Sequence, residues 1–226
     1  MDHDPPEDNI FEELRKTMVL VIAAHAVASG EETGRPVLSD SVMEAMFETP
    51  RHQFVPEEYR AYAYDDCPLP IGYEKTISQP FIVALMIDLL DVEEEDRVLE
   101  IGTGLGYQAA VLSHLAEQVY TVDIIGELAE QAIETLKVLE YDNVDVRIAN
   151  GAYGWPEHAP FDKIIVAASA DEVPDTLIAQ LAPGGRLIMP VGTEEHQNLV
   201  LVQKGDSAAY SDEILPVRFS RLVVAH

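Results

Sequence analysis

The sequence has few basic residues for its length. Its 226 residues include 14 Lys and Arg against 41 Asp and Glu, so the formal net charge is −27 and the pI is near 4.3. A chain this anionic is repelled by nucleic-acid phosphates and by anionic membranes, so neither is expected as a partner. Hydrophobic residues nevertheless make up 47% of the chain. Because acidic disordered segments are poor in such residues, the composition predicts a folded core under an acidic surface.

Lysine is especially scarce, with five residues among the 14 bases. Such a net charge lowers stability through self-repulsion at low ionic strength, whereas at molar salt the screening length is about 3 Å. Strong acidity with little lysine is similar to proteins of salt-accumulating halophiles, so we expect adaptation to high salt. The alternative is an acidic protein of a mesophile.

Cysteine is almost absent as well. Cys67 is the sole cysteine, so no internal disulfide can form, and no CxxC motif or His pair offers a metal site. The longest apolar stretch near the N-terminus, Met18 to Ala28, is too short to cross a bilayer. The acidic start, Met1 to Glu13, lacks the positive region of a signal peptide. We therefore expect a cytoplasmic protein without a bound metal.

From Arg97 onward, short apolar segments alternate with stretches of helical spacing. Such alternation predicts a three-layer, doubly wound, Rossmann-like α/β fold, with a parallel sheet between helices. Residues 1–95 are expected to form a helical segment packed on a core of residues 96–226, in one compact domain. Residues 1–9 are expected to fray, 30–36 to form a break and 50–72 to be irregular. The expected strands are Val98–Ile101, Val119–Val122, Val144–Ile148, Phe161–Ala167, Arg186–Val191, Leu199–Lys204 and Val217–Phe219; the expected helices are Ile10–Ala28, Asp40–Phe47, Pro80–Leu90, Tyr107–Ala116, Glu127–Leu139 and Pro174–Leu181, the last ended by Pro183-Gly184-Gly185.

A glycine-rich loop, Glu100-Ile-Gly-Thr-Gly-Leu-Gly106, joins the first of these core strands to its helix. Glycines let the backbone turn sharply and let a ligand approach it, although a tight turn alone would also explain them. Asp123 ends the next strand, 21 residues beyond Gly102. A carboxylate at that place can accept hydrogen bonds from a ribose diol. Loop and carboxylate together predict an adenosine-containing cofactor.

The glycine spacing and the acid before it narrow the choice of cofactor. The order GxGxG differs from the GxGxxG of dinucleotide sites, which favours S-adenosylmethionine over a nicotinamide cofactor. Glu100 disfavours a pyrophosphate and suits the amino group of S-adenosylmethionine. The alternative for Glu100 is a solvated strand end.

Several segments carry a resemblance to a known family. Val98-Leu-Glu-Ile-Gly-Thr-Gly-Leu-Gly-Tyr-Gln-Ala-Ala110 resembles the first motif of class I S-adenosylmethionine-dependent methyltransferases. The other segments are similar to motifs of the protein-L-isoaspartate O-methyltransferase family, in a halophilic archaeal type. They are Pro50-Arg-His-Gln-Phe-Val-Pro56, Pro70-Ile-Gly-Tyr-Glu-Lys-Thr-Ile-Ser-Gln-Pro80, Phe161-Asp-Lys-Ile-Ile-Val166, Leu181-Ala-Pro-Gly-Gly-Arg-Leu-Ile-Met-Pro-Val-Gly192 and Pro216-Val-Arg-Phe219.

The resemblance implies methyl transfer from S-adenosylmethionine to the α-carboxylate of L-isoaspartyl residues in damaged proteins, which starts repair through a succinimide. It also implies an antiparallel C-terminal strand and an acceptor side within residues 1–95. Because the acceptor carboxylate is ionised near neutral pH, alignment and water exclusion suffice and no general base is needed. The residues implied are Ser78 and Thr76 for catalysis; Glu100, Gly102, Thr103, Gly104, Gly106, Asp123, Ile124, Asn150 and Gly151 for the cofactor; and Lys75, Ile77, Gln79 and Pro80 for the substrate.

Ser78 is the residue expected to hold the acceptor. Its hydroxyl can donate to a carboxylate oxygen without carrying charge. The alternative is that Ser78 only caps the helix that begins at Pro80. Lys75 replaces an uncharged residue of the family and is expected to offset charge repulsion at the entrance, unless it is a solvated loop lysine.

Other positions depart from the family. Asn150 replaces an Asp that faces the adenine amino group, which loses about 1 kcal/mol of charge-assisted hydrogen bonding. The apolar segment Met18–His25 is expected to be a buried helix or a contact in a weak homo-oligomer; otherwise the protein is a monomer. Asp171 and Arg221 depart at loops on the substrate side. Because of these departures, a methyltransferase for another carboxylate or a specific protein partner, and a non-catalytic cofactor-binding homologue, stay as alternatives.

Overall fold

The computed structural model describes residues 6–205 and 208–223, with side chains from Ile10 onward. The chain begins with one long helix and a short one, continues through a small hairpin and a third helix, and alternates mainly between strands and helices after residue 96. The helices are α1 (Pro6–Thr33), α2 (Asp40–Glu48), α3 (Pro80–Leu90), α4 (Tyr107–Ser113), α5 (Gly126–Val138) and α6 (Asp175–Gln180). The strands are β1 (Leu69–Gly72), β2 (Lys75–Ile77), β3 (Arg97–Ile101), β4 (Gln118–Asp123), β5 (Val144–Ile148), β6 (Phe161–Val166), β7 (Leu181–Gly192), β8 (Gln197–Lys204) and β9 (Ala209–Val217). Short 3₁₀ turns span Arg51–Phe54, Glu57–Tyr62, Gly151–Tyr153 and Pro156–His158.

The main sheet contains seven strands of the described chain, in the order β5-β4-β3-β6-β7-β8-β9. The five strands from β5 to β7 run parallel, and β8 is antiparallel to both of its neighbours. This arrangement confirms the predicted Rossmann-like α/β fold. The order reverses between β3 and β6, and in open α/β sheets ligands bind at the carboxyl ends of the strands beside such a point.

Both faces of the sheet are covered. On one face, the buried side chains of α1 to α5 pack with Val98, Val119 and Ile188 in a single apolar cluster. On the other face, Leu99 and Met189 pack with Leu177 of α6. Successive strand residues point to opposite faces, so the alternation Val98 then Leu99 serves both layers. The N-terminal helices therefore share the core of the sheet.

Helix α1 is longer than the sequence predicts at both ends. It begins at Pro6, within the segment expected to fray, and continues through Gly30 to Thr33. Gly30 lies inside the helix, and a Cβ there would lie 2.6 Å from the Cβ of Pro36, so the close approach of Pro36 requires glycine at this position. The expected break at 30–36 therefore begins only at Gly34, whose φ of +67° favours glycine.

Strands β1 and β2 lie where the sequence predicts irregular chain or no regular element. The hairpin of β1 and β2 turns through Tyr73 and Glu74, both with positive φ.

Strand β9 ends at Val217, so the strand expected at 217–219 is wrong by almost its whole length. The residues of β9 are largely exposed, and an exposed edge strand has no apolar alternation to reveal it.

The Pro183-Gly184-Gly185 segment also differs from expectation. Helix α6 ends at Gln180, and β7 starts at once with Leu181, so this segment lies inside a strand. Gly184 has a φ of +80°, and a Cβ on Gly185 would lie 2.8 Å from the carbonyl oxygen of Asp162. The glycines therefore allow the register shift between β6 and β7.

Candidate functional site

A cavity of about 250 Å³ opens at the carboxyl ends of β3 and β4. Three segments form its walls: the glycine loop with the end of β4, the segment from β2 to the start of α3, and the chain that follows β9. Its lining includes these predicted residues: Lys75, Thr76, Ile77, Ser78, Gln79, Gly102, Thr103, Gly104, Asp123, Ile124 and Gly151. The cavity thus brings the predicted cofactor and acceptor segments together.

The glycine loop forms one wall through backbone groups. Gly102 and Gly104 have φ of +98° and +54°, and an added Cβ on Gly104 would lie 3.2 Å from Ile71 in β1. Asp123 holds the loop from the next strand. Its Oδ2 accepts from the Gly104 N–H at 2.8 Å, and its Oδ1 accepts from the Ile125 N–H at 2.9 Å. Each carboxylate oxygen keeps lone pairs for further donors, so Asp123 can still accept from hydroxyls of a ligand.

Glu100 lies behind this wall and does not line the cavity. It is fully buried, and the Thr121 hydroxyl lies 2.5 Å from its Oε2. Thr121 in turn lies 2.6 Å from the hydroxyl of Thr103, which does line the cavity. Burial raises the pKa of Glu100 to about 8, with a smaller contribution from the negative charge of Asp123. The alternative of a solvated strand end for Glu100 is therefore wrong.

One oxygen of Glu100 is left without a hydrogen bond. Neither its Oε1 nor the buried Nε2 of Gln108 has a partner among the described residues. A carboxyl with this raised pKa is mostly protonated near neutral pH, and a cationic group in the cavity would favour its ionised form. The site therefore fits a ligand that carries positive charge, such as the ammonium and sulfonium of S-adenosylmethionine.

Ser78 lies on the acceptor wall, two residues before α3. The residue at the helix cap position is Gln79, and neither Ser78 nor Gln79 caps the helix through its side chain. Asp66 does so instead: its Oδ1 accepts from the Phe81 N–H and its Oδ2 accepts from Gln79 Nε2, both at 2.8 Å. The alternative of Ser78 as a helix cap is therefore wrong, and within the described chain its hydroxyl has no hydrogen-bond partner.

Two residues that the sequence does not single out position Ser78. Arg51 is fully buried and donates from Nη2 to the Ser78 carbonyl at 2.8 Å and from Nε to the Ala63 carbonyl at 2.9 Å. Its guanidinium also lies 4.7 Å from the ring centre of Tyr107, the first residue of α4. Arg51 belongs to the Pro50–Pro56 motif, but its role depends on contacts that are distant in sequence. Asp66 likewise joins the acceptor segment to α1, because its Oδ2 lies 2.6 Å from His25 Nδ1.

Four predicted residues lie outside the cavity lining. Besides Glu100, they are Gly106, Pro80 and Asn150. Gly106 precedes α4 with a φ of +94° and packs against Leu136, and Pro80 is the first residue of α3. The Asn150 Oδ1 accepts from the Ala152 N–H at 3.0 Å, so this amide caps a 3₁₀ turn. Its neighbour Gly151 does line the cavity and is held close to Ile101.

The two unusual residues on the substrate side contact each other. Arg221 Nη2 lies 2.8 Å from Asp171 Oδ1, and Arg221 Nη1 donates to the Gly192 carbonyl at 2.7 Å. Asp171 and Arg221 are thus a coupled pair rather than two separate changes. Two contacts hold the segment after β9: the ion pair between Arg221 and Asp171, and the hydrogen bond from the Leu222 N–H to the Ser169 carbonyl.

In the part of the chain with described side chains, His, Cys, Asp and Glu form no cluster suited to a metal. Among the described helices, none is both long enough and apolar enough to cross a membrane.

Comparison with known proteins places these features in context. Residues 24–225 match the family model for protein-L-isoaspartate(D-aspartate) O-methyltransferase (PCMT). The chain is 54% identical over 213 residues to protein-L-isoaspartate O-methyltransferase 1 of Polaromonas sp. (strain JS666), covering 94% of this chain and 90% of the relative. It is 50% identical over 221 residues to protein-L-isoaspartate O-methyltransferase 2 of Syntrophobacter fumaroxidans, covering 97% and 90%.

Solved structures agree with the sequence comparisons. A protein-L-isoaspartate O-methyltransferase superposes with a TM-score of 0.80 at 32% identity, over 92% of this chain and 65% of that longer chain. A putative enzyme of the same name from Plasmodium falciparum, in complex with S-adenosyl-L-homocysteine, superposes with a TM-score of 0.76 over 92% of this chain and 98% of its own. At 23% identity, that second likeness shows the shared fold.

Proposed function

We propose a mechanism for this chain from the premise that it belongs to the protein-L-isoaspartate(D-aspartate) O-methyltransferase family. The chain is an S-adenosylmethionine-dependent methyltransferase that esterifies the α-carboxylate of L-isoaspartyl residues in damaged proteins. The ester then closes to a succinimide, which opens in part to normal aspartate. The observation that carries the mechanism is that Ser78 and the Gly102–Gly104 loop line one cavity.

The cofactor side of that cavity is assigned to the glycine loop and the end of β4. When bound, S-adenosylmethionine supplies an electrophilic methyl group on a sulfonium. Gly102, Thr103 and Gly104 let the cofactor approach the backbone closely. Asp123 offers its carboxylate to the ribose, and Ile124 lines the cavity next to it. Glu100 lies behind this wall with its carboxyl buried, and Gly106, Asn150 and Gly151 shape the adenine end.

The acceptor side is assigned to the segment from β2 to α3. The free hydroxyl of Ser78, with Thr76 beside it, donates to the acceptor carboxylate, and the start of α3 at Pro80 adds the positive end of a helix dipole. Lys75, Ile77 and Gln79 contact the substrate around it. Arg51 and Asp66 hold this segment at fixed points, which matters because transfer needs the reacting atoms in line at about 3 Å.

A labelling experiment tests this function. The protein is incubated in molar KCl with tritiated S-adenosylmethionine and either an isoaspartyl peptide or its aspartyl twin. Base-labile label on the isoaspartyl peptide alone is the expected result. Label on both peptides, or on neither while the cofactor binds, would contradict the proposed acceptor.

The surface charge supports a salt-adapted, cytoplasmic enzyme that avoids nucleic acids and anionic membranes. A solvent-accessible surface of 11577 Å² goes with a formal charge of −27 for the whole chain. The two sequence relatives reported above are bacterial, so the halophilic archaeal type is part of this proposal. Unfolding temperature should rise between about 0.1 and 2 M KCl as repulsion is screened. A constant or falling temperature would contradict salt adaptation.

The chain is proposed to act as a monomer or a weak homo-oligomer built as one compact domain. Met18, Ile22 and Ala26 of α1 are buried in the core, whereas Leu20 and Val27 on the other side are 71% and 67% exposed. Light scattering after gel filtration, with and without molar KCl, tests the assembly.

A single cooperative unfolding transition is expected for residues 1–95 and 96–226 together, and two separate transitions would contradict one domain.

A further inference from the structure

In a strongly acidic protein, the charged side chains of this cavity are mainly basic. Three basic residues line it, Lys75, Arg218 and Arg221, against a single carboxylate, Asp123. Asp123 belongs to the cofactor side, where both of its oxygens accept from backbone N–H groups. Because the chain has about three acids for every base, this lining reverses the charge balance of the whole molecule.

Two of these bases have no acidic partner. Among the described residues, Lys75 and Arg218 form no ion pair, whereas Arg35, Arg147 and Arg186 on other surfaces each do. Arg221 is held in place by Asp171 and the Gly192 carbonyl. Lys75 and Arg218 are therefore open to an anion that comes from outside the chain.

The carboxylate that accepts the methyl group is a poor match for these bases. That carboxylate loses its charge in the reaction, so a cation bound to it stabilises the ground state more than the transition state. The uncharged hydroxyl of Ser78 avoids this penalty. Fixed cations are better suited to a carboxylate that keeps its charge throughout the reaction.

We propose that Lys75 and Arg218, supported by Arg221, form a second anion subsite that selects substrates with Asp or Glu beside the isoaspartyl residue. This inference rests on the proposed acceptor and extends it to the neighbouring side chains. A protein as acidic as this chain, with 41 Asp and Glu in 226 residues, is the chemical type of substrate that the subsite fits. Ion pairs whose charged groups are in direct contact also persist in molar salt better than attraction between distant charges, because the screening length there is about 3 Å.

Two matched peptides test the subsite. Both contain one isoaspartyl residue; one has Glu on each side and the other has Gln. At low KCl, the wild-type kcat/KM should be about tenfold higher for the Glu peptide, the scale of one charge-assisted hydrogen bond. Lys75→Gln and Arg218→Gln should each reduce this ratio, and the double variant should bring it close to one. Because each ratio is measured within one protein, a general loss of activity cancels.

Lys137→Gln is the control, since it removes the same charge from the exposed end of α5. It should keep the wild-type ratio. A wild-type ratio near one, or an equal fall of the ratio in the Lys137 variant, would overturn the subsite. If neither peptide is methylated, the proposed acceptor itself fails, so the two failures are distinguishable.

Discussion

Replacement of Glu100 by Gln should stabilise the protein at alkaline pH and leave its stability unchanged under acidic conditions. Burial, with help from the charge of Asp123, raises the pKa of Glu100 from 4.5 to about 8. Between these two pKa values, the folded protein retains a proton that the unfolded chain has released. Linkage then requires the free energy of unfolding to fall as pH rises. The contribution of this carboxyl is complete below its unfolded pKa and is lost as pH approaches about 8.

The size of the effect follows from the same two pKa values. Each pKa unit corresponds to about 1.4 kcal/mol, so the full shift gives an upper limit of about 5 kcal/mol. Gln resembles the protonated carboxyl and can keep the contact to Thr121. The oxygen of its amide can also accept from the buried Nε2 of Gln108, for which the described structure gives no acceptor.

Urea unfolding of both proteins, in molar KCl from about pH 5 to about pH 9, measures the difference. The variant and the wild type should have the same stability at the acidic end, and the advantage of the variant should grow with pH and level off above about 8. Glu117→Gln, at an exposed position, should show a constant difference. A constant difference for Glu100→Gln as well would refute the reasoning, because it would mean that this carboxyl is ionised at neutral pH.

Three further substitutions address the site. Ser78→Ala should lower kcat/KM for an isoaspartyl peptide by about 10²–10³, the scale of losing one positioned donor, while S-adenosylhomocysteine affinity stays nearly unchanged; equal loss of both would indicate a structural role. Gly151→Ala should destabilise the fold by about 1–3 kcal/mol in thermal unfolding, since its Cβ would lie 2.3 Å from Ile101 Cγ2, and an unaltered melting temperature would contradict this. Asn150→Asp should strengthen cofactor binding by about 1 kcal/mol in calorimetry, and an unchanged Kd would mean that this side chain does not contact the cofactor.

The regular elements with apolar periodicity could be predicted from the sequence alone. Helix Pro80–Leu90 and strand Val144–Ile148 match the expected bounds at both ends. The hairpin of β1 and β2 could not, because prolines lie just before it and within β1, and its turn residues, Tyr73 and Glu74, are not typical of positive φ. Most of strand β9 could not be predicted for a different reason. It pairs with β8 through backbone groups, and its exposed side chains show no apolar alternation.

The site shows a similar division. The glycine loop, Asp123 and the Ser78 segment could be predicted because each is a local motif, and all three line the cavity. The roles of Arg51 and Asp66 could not, since they arise from contacts with Ser78 and Phe81 that are distant in sequence. The spacing of motif residues along the sequence also does not show how deeply each side chain is buried.

The repair itself is the most direct test of the central claim. An isoaspartyl peptide is incubated with the protein and S-adenosylmethionine in molar KCl, and chromatography follows the isoaspartyl, succinimide and aspartyl forms over time. We expect the aspartyl peptide to accumulate through the succinimide, and to accumulate far more slowly with Ser78→Ala. An isoaspartyl peptide that stays unconverted while the protein binds the cofactor would contradict the account.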